Sequence, residues 1–167
     1  MAQQTVPKEV LQALATINPC QGFSPELYNA LARLVPSVAI EAVLLRRHGG
    51  EIQVYMTRRS PNDTAYPNQV HSPGSILRAG ELYEDVLARL SEREFHAPII
   101  HYDYVGEIFM EEERGWFNNR VLLVQVPRKP IGGEWFSVDA LPDDVVDHHV
   151  QKVIPMAVAY FKKQHGL

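Results

Sequence analysis

Cysteine is almost missing from this sequence of 167 residues, which contains only Cys20. A single thiol forms no intramolecular disulfide, and without a CxxC motif or a Cys/His cluster it offers neither a zinc site nor a redox pair. We expect Cys20 to be buried and to have no catalytic role. The lack of disulfides fits the reducing environment of the cytoplasm.

A long hydrophobic run is missing as well. The most apolar stretch, SVAIEAVLL, is interrupted by Glu41 and is far shorter than the ~20 residues that cross a bilayer. The first ten residues, MAQQTVPKEV, have neither the basic flank nor the apolar centre of a signal peptide. We therefore expect a soluble, cytoplasmic protein without a membrane partner.

An excess of positive charge is also absent, because 16 Lys and Arg residues face 20 Asp and Glu residues, which gives a net charge of −4. No large cationic surface indicates a nucleic acid, and no recognition helix for DNA is visible, so we expect no nucleic-acid partner. The composition, 46% hydrophobic and 22% charged, suits one globular domain.

Two short helices and then a hairpin are predicted at the start of the chain. The helices fall in residues 7–34, and Ser24 in the run SPE is a good cap for the second of them. From Val38 onward the runs VAIEAVLLRR and EIQVYMTRR are rich in strand-forming residues. They are joined by HGG, whose glycines permit the positive φ of a tight turn, so they predict a β-hairpin.

A long loop and the central helix follow the hairpin. Residues 60–73 are rich in Pro, Asn, Asp and Ser and predict the loop. Residues 81–95 carry the helical period. Leu82, Val86 and Leu90 are predicted to form the buried face of this helix, while its acidic residues lie on the opposite side.

The rest of the chain predicts strands and a terminal helix. The strand-like runs YDYVGEIFM and RVLLVQV are separated by a predicted loop, residues 111–119, and are followed by a short strand and an amphipathic helix. This order of elements predicts an α+β fold, in which helices on both faces cover a mixed β-sheet. An N-terminal helical extension, residues 1–36, precedes this domain of residues 37–167.

The segment PGSILRAGELYEDVLARLSEREF resembles the signature box of the Nudix hydrolases, GX5EX7REUXEEXGU. The matching residues are Pro73, Gly74, Gly80, Glu81, Arg89 and Glu94. The stretch EWFSVDALPDD is similar to a segment that closes many members of the family, so the resemblance extends from Val38 to the C-terminus. It implies a Nudix-type sheet between helices, and a hydrolase that uses Mg²⁺ or Mn²⁺ to cleave a small molecule linked to a nucleoside diphosphate.

The segment departs from the family pattern at Ser75, Leu90, Ser91, Arg93 and His96. Of the three carboxylates that a normal box directs at the metal, only Glu94 remains. Side chains three and four residues apart share a helix face, which is why the box carries its ligands at that spacing. Here Leu90 cannot bind a metal, and Arg93 places a positive charge where a divalent cation should lie.

The resemblance implies a set of site residues. The catalytic residues would be Glu94, Arg89 and Glu112. The metal ligands would be Glu94, Glu92 and Glu111, holding Mg²⁺ or Mn²⁺ if the protein is active, with no metal if the altered box has lost it. The substrate-binding residues would be Arg58, Arg59, His71, Gly74 and Trp116.

Simpler interpretations stay open for several of these residues. The acidic run 111–113 is also typical of a solvated loop, and Glu92 of a solvated helix side. Glu94 lies among apolar neighbours, so its carboxylate should pair with an arginine of the helix or with a metal ion. His148 and His149 have no third ligand at metal spacing, and we predict no metal there.

Two functions follow from these observations. The first is a Nudix-type hydrolase that cleaves a pyrophosphate in a nucleotide-like small molecule, with its metal held by Glu94 and by carboxylates outside the box. The second is a ligand-binding or regulatory module that keeps the Nudix cleft without the metal. A dry, apolar wall at Leu90 would favour the second. Whether the chain is a monomer or a homodimer is left open.

Overall fold

The computed structural model describes residues 5–167. The helices are α1 Lys8–Ala15, α2 Pro25–Ala32, α3 Tyr83–Leu90 and α4 Ile154–His165. The strands are β1 Ser37–His48, β2 Glu51–Arg58, β3 Val70–His71, β4 Gly74–Ile76, β5 His101–Glu112, β6 Gly115–Gln125 and β7 Glu134–Ser137. Two π-helical turns, Ser91–Phe95 and His149–Val153, lie directly after α3 and directly before α4.

The strands form one mixed seven-stranded sheet in the order β3-β2-β1-β6-β5, with β4 also paired to β1 and β7 to β2. The predicted hairpin is confirmed, since β1 and β2 are antiparallel neighbours joined at Gly49 and Gly50. Both glycines have a positive φ, as a tight hairpin turn requires. Strand β1 pairs with β6 in parallel, and every other pairing is antiparallel among the named strands of residues 5–167. The predicted α+β class is therefore confirmed.

Helices cover both faces of the sheet, as predicted. Successive side chains of a strand point to opposite faces, so β1 contributes side chains to a hydrophobic core on each face of the sheet. Val43 lies in the core closed by Ile154 and Phe161 on the α4 side, while Leu44 lies in the core closed by Leu90 on the α3 side. The apolar content of β1 is continuous because both of its faces are buried.

The predicted buried face of α3 is correct at Val86 and Leu90 and wrong at Leu82. Val86 and Leu90 are 0% and 2% exposed, whereas Leu82 is 68% exposed. Leu82 precedes the first helical turn and has an extended backbone, so the helical period does not reach it. The Asp85 carboxylate accepts a hydrogen bond of 2.8 Å from the Leu82 N–H and fixes this helix start.

The predicted loop 111–119 is also wrong, because β5 continues to Glu112 and β6 begins at Gly115. Trp116 and Phe117 pair across the hairpin with Glu111 and Met110. Strand β5 lies at the edge of the sheet, where Glu111 remains exposed, and Glu112 pairs with Arg114, so charge does not end the strand.

The N-terminal extension packs loosely on this domain. Helix α1 buries none of its residues, and α2 buries Ala32. The predicted cap is present, since the Ser24 hydroxyl accepts a hydrogen bond of 3.3 Å from the Leu27 N–H. Cys20 is exposed between the two helices, so the expected burial is wrong. The domain boundary after residue 36 stays a prediction. Within residues 5–167, no helix is both long and apolar enough to cross a bilayer.

Candidate functional site

A polar cleft of about 320 Å³ opens where the end of β2, the loop before β4 and the π-helical turn after α3 meet. Its lining residues are Thr57, Arg58, Arg59, Ser60, Asp63, His71, Gly74, Arg93, Glu94, His96 and Gly132. The cleft therefore contains four of the five predicted substrate-binding residues, Arg58, Arg59, His71 and Gly74, together with Glu94.

The π-helical turn after α3 sets the position of Glu94. A π turn inserts an extra residue and rotates the side chains that follow it. Phe95 is fully buried and stacks on Tyr55 with ring centroids 5.6 Å apart. The Tyr55 hydroxyl lies 3.2 Å from the Glu94 carbonyl oxygen and 2.9 Å from that of Ile131. The contacts of Tyr55 with the Glu94 carbonyl and with Phe95 thus hold the Glu94 backbone against the core.

The Glu94 carboxylate contacts Thr57 and His71 and forms no ion pair with the expected arginine of the helix. Thr57 Oγ1 donates a hydrogen bond of 2.6 Å to Glu94 Oε2, and His71 Nε2 lies 3.4 Å from the same oxygen. Burial acts to raise the pKa of Glu94, but the hydrogen bond and charge of His71, with help from Thr57, outweigh burial and lower that pKa. Glu94 is therefore an ionised hydrogen-bond acceptor at neutral pH.

Arg59 connects His71 to the long loop. Its Nη1 lies 3.5 Å from His71 Nδ1, and its Nη2 lies 2.6 Å from Asp63 Oδ2. Burial opposes the ionisation of Asp63, yet hydrogen bonds from Arg59 and two backbone amides lower the pKa of this carboxyl to about 2. Arg58 pairs with Asp144 at 2.6 Å on the exposed side of the same strand end.

Arg89, predicted as catalytic, lies outside the cleft. It forms an ion pair with Glu81 and donates from Nη2 to the Ile76 carbonyl at 2.9 Å. These contacts tie α3 to the segment around β4. Leu90, one position further on, is part of the core under the sheet, so it presents an apolar wall and no ligand.

Four other predicted site residues also lie apart from the cleft. Glu92 lines a groove on the outer side of α3. Glu111 is exposed on β5, opposite Trp116, which is 53% exposed. Glu112 lines a different cavity, where its carboxylate receives a hydrogen bond of 2.9 Å from Arg114 Nη2. The four predicted carboxylates, Glu92, Glu94, Glu111 and Glu112, thus lie in four different places.

The cavity that holds Glu112 has a volume of about 100 Å³ and shares Gly74 and Arg59 with the cleft. Glu41 of β1, which is 7% exposed, is one of its walls. Burial raises the pKa of Glu41 to about 8. A Cβ at position 74 would lie 2.5 Å from Glu41 Oε2, so a side chain there would have to displace the Glu41 carboxylate.

Glu41 lies beside His148 and His149 and completes a group of three residue types that bind metals, which the sequence did not reveal. One ligand atom from each of the three buried residues lies within 4.8 Å of the others. The prediction that these histidines lack a third partner is therefore wrong. Strand β1 and the π-helical turn before α4 are a hundred residues apart in the chain, so spacing gives no signal. The only hint is a charged residue inside an otherwise apolar strand.

The hydrogen bonding of His149 does not fit a metal ligand. The Ser72 N–H donates to His149 Nδ1 at 3.0 Å, so the neutral ring carries its hydrogen on Nε2, which faces Glu41 Oε2 at 3.6 Å. Burial lowers the pKa of His149 well below its usual value and keeps the ring neutral. A ligating histidine presents a lone pair to the metal and donates from its other nitrogen. His149 has the reverse arrangement.

No family model matches the chain, and no curated protein matches it. Solved structures do. The NUDIX domain of Shewanella oneidensis NrtR complexed with ADP-ribose shares 17% identity over 90% of this chain and 97% of that chain, with a TM-score of 0.59. A NUDIX hydrolase from Nitrosomonas europaea shares 18% identity over 75% of this chain and 90% of that chain, with a TM-score of 0.61.

Longer NrtR chains match as well. Shewanella oneidensis NrtR complexed with a 27mer DNA has a TM-score of 0.61 and 16% identity, over 76% of this chain. The chain spans 63% of the length of that protein. At these identities the likeness shows the fold alone. Because one of the similar structures contains DNA, the comparisons do not support the expected exclusion of a nucleic-acid partner.

Proposed function

We propose that this chain, which has the Nudix fold, binds a phosphate-bearing, nucleotide-like ligand in the cleft without a metal ion and without cleaving it. Arg93 carries the proposal. It lines the cleft at a position where the box has a carboxylate, and no ion pair within residues 5–167 involves it. The exposed guanidinium of Arg93 thus stands where the family pattern would place a metal ligand.

The other charges of the cleft support an anionic ligand. Arg58 and Arg59 each have one carboxylate partner and retain further N–H groups. Guanidinium groups donate paired hydrogen bonds to phosphate oxygens and need no metal to do so. The cleft also contains two carboxylates, Asp63, which pairs with Arg59, and Glu94, whose Oε2 already accepts from Thr57. Arg93 is therefore the cation that a phosphate group can neutralise.

The alternative, a metal-dependent hydrolase, has less support. Attack of water on phosphorus needs a group that activates the water and absorbs charge, which hard Mg²⁺ ions held by oxygen ligands supply. Leu90 is 2% exposed and cannot contribute a ligand. Glu94 is the one box carboxylate in the cleft. In the cluster of Glu41, His148 and His149, the His149 nitrogen that faces Glu41 carries a hydrogen and therefore offers no lone pair to a metal.

Calorimetric titration tests the proposal with two probes, inorganic pyrophosphate and ADP-ribose, the ligand in the related NrtR NUDIX domain. Both are titrated in EDTA and again with Mg²⁺ or Mn²⁺, and ADP-ribose is followed by chromatography for cleavage products. We expect equal affinity with chelator and with metal, and an intact ligand. Affinity that appears only with metal, or release of cleavage products, would contradict the proposal.

Arg93→Met is the informative variant, with Arg47→Met as its matched control. Arg47 is exposed near the hairpin turn, away from the cleft. Loss of charge-assisted hydrogen bonds from Arg93 should weaken pyrophosphate binding by about tenfold or more. Arg47→Met should leave it unchanged. Equal affinities of the two variants would show that Arg93 does not hold the phosphate.

A further inference from the structure

The carboxyl group of Glu41 lies directly behind the floor of the cleft. Gly74 lines the cleft on one side and the Glu41 cavity, the small polar cavity that Glu41 and Glu112 line, on the other. A Cβ at position 74 would lie 2.5 Å from Glu41 Oε2, so the carboxyl group packs against Gly74. Arg59 also lines both spaces, and its buried Nε has no hydrogen-bond partner among residues 5–167. A phosphate in the cleft and the Glu41 carboxyl group would therefore have two neighbours in common.

A chain of buried contacts connects Glu41 with the cleft by a second route. His149 Nε2 faces Glu41 Oε2 at 3.6 Å, and His149 Nδ1 accepts a hydrogen bond of 3.0 Å from the Ser72 N–H. Ser72 follows His71, whose Nε2 lies 3.4 Å from Glu94 Oε2 inside the cleft. Ser72 is 0% exposed and His149 is 2% exposed, so solvent does not compete for these contacts. The position of the loop before β4 therefore depends on which atoms of Glu41 and His149 carry hydrogens.

The surroundings of Glu41 keep its carboxyl group uncharged at neutral pH. Burial has the largest effect and raises the pKa of Glu41 to about 8, against the two arginines Arg59 and Arg114 and together with the carboxylates Glu112 and Glu94. The other titratable groups of this region are Tyr28 from α2, Tyr66 from the long loop, His71 from β3, and His148 and His149 at the start of the π-helical turn before α4. Glu41 therefore loses its proton in mildly alkaline solution.

We propose that Glu41 is a positioning residue whose proton controls the affinity of the cleft for phosphate. The proposal rests on the proposed function and adds the regulation of that site by pH. Loss of the proton to solvent places a negative charge behind Gly74, where it attracts the Arg59 guanidinium and repels the phosphate. Transfer of the proton to His149 also disturbs the cleft, because a doubly protonated ring cannot accept from the Ser72 N–H and the loop before β4 loses this contact.

Titration of pyrophosphate in EDTA at about pH 7 and about pH 9, one unit on either side of the Glu41 pKa, tests the proposal. Pyrophosphate also changes its protonation, so the unaltered protein is compared with Glu41→Gln at each pH. We expect the two proteins to agree within about twofold at the lower pH and the unaltered protein to bind about tenfold more weakly at the higher pH. Glu51→Gln, at an exposed position outside both cavities, is the control and should follow the unaltered protein. A ratio of affinities that is the same at both pH values overturns the proposal.

Proton uptake provides a second measurement. Coupling is reciprocal, so a bound anion must raise the pKa of Glu41, and at about pH 8 the unaltered protein should take up more protons on binding pyrophosphate than Glu41→Gln. Calorimetry in buffers of different ionisation enthalpy measures this difference, and equal uptake overturns the proposal.

Two further variants guard against misfolding of Glu41→Gln. Glu41→Met also cannot ionise and should lose the pH effect, whereas Glu41→Asp keeps a titrating group and should retain it. Melting temperatures confirm that each variant is folded. A pH effect that persists in a folded non-ionisable variant overturns the role of Glu41, while pyrophosphate binding still supports the proposed function. If the unaltered protein binds no pyrophosphate at either pH, both proposals fail.

Discussion

At the scale of single residues, two substitutions change the chemistry of the box-like segment. Leu90 stands at a position where the family box has a metal ligand. Its side chain is 2% exposed and packs in the core on the α3 side of the sheet. Arg93 replaces another ligand by a cation that lines the cleft. Under the proposed function, these two residues make the cleft suited to an anion and not to a metal ion. The Glu94 carboxylate remains in the cleft, where Thr57 donates a hydrogen bond to it and His71 Nε2 lies 3.4 Å away.

Glu41 predicts a pH dependence of stability. Burial raises its pKa from 4.5 to about 8, so the native state keeps a proton that the unfolded chain releases over this interval. The stabilisation is complete below pH 4.5 and is lost as the pH rises through about 8. His148 and His149 have lowered pKa values, so their contribution has the opposite sign and is complete above the usual histidine pKa of 6.5.

The window between about pH 6.5 and 8 therefore isolates Glu41. We expect the free energy of unfolding to fall across this window in the unaltered protein and to fall less in Glu41→Gln, which cannot ionise. Urea unfolding at several pH values measures both slopes. Parallel slopes for the two proteins would show that Glu41 is already ionised at pH 6.5.

At the scale of elements, turns decide where the side chains of the site lie. One π-helical turn precedes His96 and contains Glu94, and the other begins at His149. The turn of the β5–β6 hairpin likewise positions the N-terminal extension, because it contacts the end of α2. Its Gly115 has φ +136°, and a Cβ there would lie 1.9 Å from the Ala32 carbonyl oxygen. The hairpin and the end of α2 are thus in direct backbone contact.

Gly115→Ala should therefore be strongly destabilising, because an L-residue rarely adopts φ +136° and its methyl group would collide with the Ala32 carbonyl. Gly49→Ala is the matched control, since Gly49 has φ +61° and no atom lies within 4 Å of a Cβ there. The control should lose about 1 kcal/mol from the left-handed backbone alone. We expect roughly 3 kcal/mol or more for Gly115→Ala. Similar losses in denaturant unfolding would mean that α2 moves away from the hairpin at little cost.

At the scale of the whole molecule, Gly74 joins the two polar cavities at the centre of the fold. The cleft lies on one side of it and the Glu41 cavity on the other. The elements that meet there, β1, β2, the segment before β4 and the turns beside α3 and α4, come from most of the chain. Ligand binding should therefore stabilise the entire domain and not one loop.

Thermal unfolding tests this expectation. A ligand that binds only the native state at about 100 times its Kd adds about 2.7 kcal/mol of stability. Pyrophosphate in EDTA should therefore raise the melting temperature, and a tenfold loss of affinity in Arg93→Met should reduce the stabilisation to about half. Millimolar Mg²⁺ or Mn²⁺ alone should have no effect. A metal-dependent increase without pyrophosphate would establish a metal site and contradict metal-free binding.

The sequence by itself determined the α+β class, the β1–β2 hairpin and the two covered faces of the sheet. These features follow from local properties, namely the periods of apolar residues and the positions of Gly and Pro. The box-like segment also located the cleft, because Gly74 and Glu94 keep the family spacing and Arg58, Arg59 and His71 flank it.

Only the tertiary structure decided which polar residues meet. Glu112 lies with Glu41 and not with Glu94, because β5 continues into the predicted loop and carries Glu112 to the other side of Gly74. Glu41 and His149 are neighbours through the packing of β1 against the start of α4, a contact across more than a hundred residues. Sequence spacing reports faces of one element, whereas a polar cavity is built from several elements, and its pairings depend on how those elements pack.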